Sequence, residues 1–137
     1  MCIRDREIDV EPAGTPPRDY GWGAMEGTHC FPPGTRCTPR GAPPAVEHGR
    51  AEAGSIIGGY VYRGSKIRCL DGHYLYADYV TGRFFSFFWD GAAATMRSEL
   101  TASLRPNGLP SSFGEDASGE LYVTMFNTGR LYRIDPR

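Results

Sequence analysis

The 137-residue chain has almost no helical signal. No window of about 11–18 residues holds apolar side chains at i, i+3, i+4 and i+7, and Ala92 to Leu104, the nearest case, is weak. That excludes a helical bundle. No apolar run approaches the roughly 20 residues of a membrane-crossing helix. Net charge is −1, with a single lysine, Lys66. There is no basic footprint for nucleic acid and no polybasic membrane patch. No phosphate-cradling loop, nucleophile–base pair or paired catalytic carboxylates stand out. The residues alone therefore name no reaction.

Turn formers and aromatics are abundant. There are 18 Gly and 11 Pro, and aromatics make up 12%. Gly and Pro punctuate short runs, as in strands joined by tight turns, so the chain reads as all-β. One motif is written twice. Gly72 to Phe87 reads GHYLYADYVTGRFFSF and Gly119 to Ile134 reads GELYVTMFNTGRLYRI, offset by 47 residues (119 − 72). Gly72 aligns with Gly119 and Gly82 with Gly129, and Thr81-Gly82-Arg83 aligns with Thr128-Gly129-Arg130. A period of roughly 40–50 residues built from short strands is that of a β-propeller blade.

The expected fold is an incomplete β-propeller, about two blades of the four-stranded type plus a long Pro/Gly loop. Residues 7–54 hold the end of a strand (Glu7 to Val10) and an ordered loop, 55–104 one blade, and 105–137 a last blade without its closing strand. In the first blade the expected strands are Ser55 to Arg63, Tyr74 to Tyr79 and Phe84 to Trp89, with Leu100 to Leu104 as a short outer strand. Turns fall at Thr81-Gly82 and Asp90-Gly91. The second blade repeats the order with Ser111 to Phe113, Glu120 to Met125, a turn at Asn127-Thr128-Gly129, and Arg130 to Ile134. Phe84, Phe85, Phe87, Phe88 and Trp89 are apolar on both strand faces, which suits a strand between neighbouring blades. Two blades leave edges and faces open. The natural partner is further, upstream blades of the same protein, and the chain alone is expected to fold poorly.

The opening Met1-Cys2-Ile3-Arg4-Asp5-Arg6 back-translates as ATG TGT ATA AGA GAC AG. That resembles the transposase end sequence used to prepare sequencing libraries. Residues 1–6 are read as a scar and the chain as the 3′ end of a longer gene. Cys30 and Cys37 flank Phe31-Pro32-Pro33-Gly34-Thr35-Arg36. Their spacing does not suit a metal, and they read as a disulfide, with free thiols the alternative. A disulfide implies an oxidising compartment, periplasmic or extracellular. Cys69 reads as a small buried residue.

Four polar positions are candidates for a site. His48 precedes the first blade strand, as a base or ligand facing an axial channel or as an exposed loop histidine. Asp78 sits in mid-strand and is expected to pair with Arg83 or Arg63 rather than bind a ligand. Glu115 and Asp116 offer oxygens to calcium, or are solvated acids of a turn. Arg83 and Arg130 occupy equivalent repeat positions and read as architecture. Tyr20 and Trp22 stack on a sugar or, more simply, pack the loop.

In order along the chain, Asp19-Tyr20-Gly21-Trp22, Glu26-Gly27, the Cys30/Cys37 loop, Ser55-Ile56-Ile57-Gly58-Gly59-Tyr60-Val61-Tyr62-Arg63-Gly64, Ala77-Asp78-Tyr79, and Ser112-Phe113-Gly114-Glu115-Asp116 with Gly119-Glu120-Leu121-Tyr122 form a recognisable set. They resemble the C-terminal part of the glucose/sorbosone dehydrogenase family. The resemblance implies a six-bladed, secreted or periplasmic propeller. It implies pyrroloquinoline quinone (PQQ) and calcium as cofactors and an aldose sugar as substrate, oxidised by hydride transfer to the quinone. The family's histidine base would lie upstream of this chain. The family's quinone-gripping Arg-x-Arg falls on Gly108, Leu109 and Pro110, and its lysine on about Val80-Thr81. The pattern is closer to the branch of hedgehog-interacting-protein-like propellers. The alternative function is a non-catalytic secreted propeller that binds a carbohydrate or protein partner.

Overall fold

The computed structural model describes residues 6–104 and 107–136 and divides the chain into two compact units, one ending at Glu52 and the other starting at Ala53. Met1 to Asp5 of the suspected scar, and Arg105 and Pro106, lie outside the described residues.

Among its described residues the first unit has four two-residue strands: β1 (Glu7–Ile8), β2 (Met25–Glu26), β3 (His29–Cys30) and β4 (Val46–Glu47). β1 pairs antiparallel with β4, and β2 with β3. Between them the Pro/Gly-rich chain is held by local bonds rather than by periodic structure. Asp19 Oδ1 accepts the Gly21 N–H at 2.7 Å, and the Asp19 carbonyl accepts the Ala42 N–H at 2.7 Å.

The described residues of the second unit form seven strands. They are β5 (Ile56–Val61), β6 (His73–Asp78), β7 (Phe84–Trp89), β8 (Ala94–Glu99), β9 (Pro110–Glu115), β10 (Leu121–Met125) and β11 (Arg130–Arg133). A 3-10 turn (Arg68–Leu70) precedes β6, and a single helical turn, α1 (Thr101–Leu104), follows β8. One sheet has the order β5-β6-β7-β8 and the other β11-β10-β9, antiparallel throughout. The chain is thus all-β, with its sheets open rather than closed into a barrel.

The outer strand of the first sheet is not where the sequence places it. It is β8, and α1 occupies the expected Leu100 to Leu104. β8 lies on a solvent edge with Met96, Arg97, Ser98 and Glu99 exposed, so no alternation marks it. Leu100 to Leu104 turns because Phe84 takes its bonds. The Phe84 N–H donates to Thr101 Oγ1 at 3.0 Å, and its carbonyl accepts the Leu100 N–H at 2.7 Å.

The sequence repeat is a repeat of backbone geometry. Gly72 and Gly119 have φ of 78° and 77°, and Gly82 and Gly129 have φ of 70° and 62°. These are left-handed values that favour glycine. The N–H of Gly82 donates to the Asp78 carbonyl at 3.0 Å, and that of Gly129 to the Met125 carbonyl at 3.0 Å.

The two sheets stack. Leu75, Ala77 and Phe84 of the first sheet share one buried cluster with Phe113, Leu121, Val123 and Met125 of the second. Under the 47-residue offset Leu121, Val123 and Met125 correspond to Tyr74, Tyr76 and Asp78, which lie on the other face of β6. One face of the first sheet therefore meets the opposite face of its repeat. Tyr79 and its counterpart Phe126 touch edge to face at 5.9 Å. The sheets approach most closely at β5 and β9.

Candidate functional site

Asp78 is fully buried. Its Oδ1 accepts the N–H groups of Gly54 at 2.7 Å and of Ser55, and its Oδ2 accepts the Thr81 N–H at 2.6 Å. Burial by itself would raise the carboxyl pKa, but the donors outweigh it, and the group is held below the ordinary aspartate value. The expected arginine partners are elsewhere. Arg63 Nη1 lies 3.9 Å from Asp71 and Arg83 Nε 3.9 Å from Glu99. Asp78 thus ties the entry of β5 to the β6–β7 turn through backbone donors.

Sequence reasoning passed over Glu120, which is more deeply engaged than Glu115 or Asp116. Glu120 is buried, Oε2 accepts the Tyr62 hydroxyl at 2.8 Å, and Oε1 accepts the N–H groups of Ser65 at 3.0 Å and Lys66 at 3.2 Å. Tyr62 in turn accepts the Ile67 N–H at 2.9 Å, and burial, then the bond to Glu120, pushes its pKa up. This network joins the two sheets. The available signal was an acid placed immediately before an apolar strand. Asp116 closes the β9–β10 turn. Its Oδ1 accepts Ser118 N–H at 2.8 Å and Glu120 N–H at 3.1 Å, its Oδ2 accepts the Tyr122 hydroxyl at 3.0 Å, and its carboxyl pKa is lowered, first by the Glu120 N–H. Glu115 ends β9 and is exposed.

In the first unit His48 is buried rather than exposed, because it follows β4 directly and its N–H donates to the Arg6 carbonyl at 3.0 Å. Its Nδ1 lies 3.2 Å from Glu52 Oε2. His29 Nε2 lies 3.2 Å from Glu47 Oε1, and Glu47 Oε2 accepts the Thr28 N–H at 3.1 Å and its hydroxyl at 2.8 Å. His29, Glu47, His48, Gly49 and Arg50 line a cavity of about 230 Å³. Cys30 and Cys37 form a disulfide, compatible with an oxidising extracellular or periplasmic location. Trp22 does not pack the loop down; 86% of it is exposed, on a turn in which the Met25 N–H donates to the Gly21 carbonyl at 2.9 Å. Tyr20 donates to Glu11 at 2.7 Å, which pushes its hydroxyl pKa up to about 12. Cys69 is an exposed free thiol, since its 3-10 turn directs Ile67 and Leu70 inward instead.

The residues of these sheets do not fit a quinone with calcium. A tricarboxylate needs fixed cations. Of the aligned positions, Leu109 donates its N–H to Asn127 Oδ1 at 2.8 Å, and Pro110 is buried. Lys66, the one lysine, has Nζ 3.7 Å from Asp135. The oxygens of Asp78 and Asp116 are taken by N–H and hydroxyl donors. Among the described residues no three His, Cys, Asp or Glu side chains gather in one place. No family model and no solved structure matches the chain.

Proposed function

We propose that the chain supplies two consecutive blades to a secreted β-propeller of the glucose/sorbosone dehydrogenase type. The observation that supports it is the stacking of one sheet face on the opposite face of its own repeat. Such head-to-tail contact leaves a free face at each end and continues by adding the same unit, as in radial or solenoid arrays. Closest approach at β5 and β9 suits blades that converge on an axis.

The activity this resemblance carries is oxidation of an aldose by hydride transfer to PQQ, with calcium. The two blades contribute architecture to such a protein. They hold the turn at Thr81 and the β5 entry through Asp78, and lock blade to blade through Glu120. The second reading is a propeller that binds a carbohydrate or protein partner without turnover. Neutral residues at Gly108, Leu109, Pro110, Val80 and Thr81 favour it.

The test is made on the full-length parent, loaded with PQQ and calcium and assayed by dye reduction on a panel of aldoses. Turnover establishes the dehydrogenase. Absence of both turnover and quinone binding removes it and leaves the binding propeller. A crystal structure of the parent tests the architecture: the two sheets should be related by a rotation about one axis shared with further blades.

A further inference from the structure

The two sheets answer one backbone need differently, and the difference leaves a reactive pair. In the first sheet the N–H groups of Gly54 and Ser55 both donate to Asp78 Oδ1, that of Gly54 at 2.7 Å. In the second sheet Leu109 stands where Ser55 does, because their carbonyls accept the N–H groups of the repeat-related Phe126 and Tyr79. Gly108 therefore corresponds to Gly54, and Asn107 to Ala53. The counterpart of Asp78 is Met125, whose side chain has no oxygen to offer. Asn127 Oδ1 takes the Leu109 N–H at 2.8 Å, and among the described residues the Gly108 N–H has no hydrogen-bond partner.

The residue before Gly108 supplies an electrophile. Asn107 is exposed, and among the described residues its side-chain amide makes no hydrogen bond, whereas Ala53 is fully buried. In an Asn-Gly pair the glycine nitrogen can close a five-membered ring on the side-chain carbonyl carbon, and the missing Cβ leaves that approach open. Asn127, the other asparagine of the chain, has its amide engaged by Leu109 and is followed by the β-branched Thr128.

We propose that Asn107-Gly108 is a site of spontaneous deamidation and isomerisation. The Gly108 nitrogen gives its proton to hydroxide and attacks Asn107 Cγ. The new C–N bond closes a succinimide. The Cγ–Nδ2 bond breaks, and its nitrogen leaves as ammonia with a proton from water. A further water opens the ring at Cγ to give aspartate, or at the main-chain carbonyl carbon to give isoaspartate. Either product puts a carboxylate at the entry to β9. Isoaspartate also adds one carbon to the main chain directly before Gly108. There is little room to absorb it, since a Cβ on Gly108 would stand 2.8 Å from Asn127 Oδ1. The bonds that Leu109 makes to Asn127 and Phe126 should therefore loosen.

The full chain is incubated at neutral and at mildly alkaline pH and mapped by peptide mass spectrometry, with electron-transfer fragments separating aspartate from isoaspartate. Amide exchange is followed in the same samples. Expected are both products at position 107, formed faster in alkali, and none at Asn127. The Gly108 amide should exchange freely while that of Gly54 is protected. Met125→Asp, which returns the acceptor found at Asp78, should slow the conversion by about tenfold or more, the weight of one bond to a charged group. Conversion in a urea-unfolded sample but not in the folded chain overturns the proposal, as do equal conversion at Asn127 and no conversion at all. An unchanged rate in a folded Met125→Asp chain overturns it too. Where that variant does not fold, the Gly108 amide of the parent chain decides, and protection there overturns the proposal.

Discussion

The sharpest test of the structural reading is Asp78→Asn. The substitution keeps the shape and one oxygen, so Gly54 and Ser55 keep an acceptor. It places an NH2 group against the Thr81 N–H, where Oδ2 now sits at 2.6 Å. One buried charge-assisted bond is lost, a donor meets a donor, and the other two bonds lose their charge. A charged bond contributes about 1.5–3 kcal/mol and an orphaned buried donor costs about 1–3 kcal/mol, so the loss should be about 3 kcal/mol. For a unit of this size that is roughly 12–24 °C in melting temperature. Urea and thermal unfolding by circular dichroism measure it.

The pH dependence separates this cause from a packing defect. The native pKa of Asp78 is lowered. Its charge therefore stabilises the fold fully above the unfolded aspartate value of about 3.9, and that stabilisation is lost as pH falls through the lower native value. The gap between wild type and Asp78→Asn should stay constant from about pH 7 to pH 5 and narrow below about pH 4. A difference under about 0.5 kcal/mol at neutral pH, within the range of inert surface changes, would refute the reasoning. So would a gap that is unchanged in acid.

Four further outcomes follow from the structure. Gly119→Ala combines a φ of 77° with a Cβ only 2.7 Å from the Arg63 carbonyl carbon, so it should destabilise by about 2 kcal/mol or more, read from the urea midpoint. Gly129→Ala, with a φ of 62° and open space around its Cβ, should cost less in the same assay. Tyr62→Phe strips the hydroxyl from Glu120 and from the Ile67 N–H, and should cost about 1–3 kcal/mol in the same unfolding titration. Cys69, exposed on its 3-10 turn, should be labelled by a maleimide in the native protein, while the disulfide-bonded Cys30 and Cys37 should not react until reduced; mass spectrometry distinguishes the sites.

What could be read in the sequence depended on whether the determinant was local. β6 and β7 were legible because alternation, turn glycines and aromatic residues all lie within the strand and its hairpin, and the second copy restated them in β10 and β11. β8 was not, because an exposed edge strand has no buried face to impose alternation, and Met96 breaks its regularity with a φ of 49°. The buried state of His48 comes from pairing with Arg6, and the exposure of Cys69 from a 3-10 turn that contains no turn glycine or proline. The partners of Asp78 were illegible for a different reason. Two of the three are backbone N–H groups 23 and 24 residues away, and a backbone donor, even the nearby one of Thr81, has no residue type to recognise.

The glycines of the two sheets repeat while their acids do not, for a physical reason. In the first sheet the Tyr79 N–H donates to the Ser55 carbonyl at 2.8 Å, and in the second the Phe126 N–H donates to the Leu109 carbonyl at 2.9 Å, so Ser55 and Leu109 hold the same place. The Ser55 N–H goes to Asp78, the last residue of β6. The Leu109 N–H goes to Asn127 Oδ1, two positions further along the repeat, and the counterpart of Asp78 is the buried Met125. The need is the same backbone donor in both sheets. Any acceptor that reaches it suffices, whereas a left-handed turn has few substitutes for glycine. A position whose duty passes from Asp to Asn across one repeat is serving the backbone. Chemistry in this chain is therefore better sought at groups without such a duty, such as the exposed Trp22.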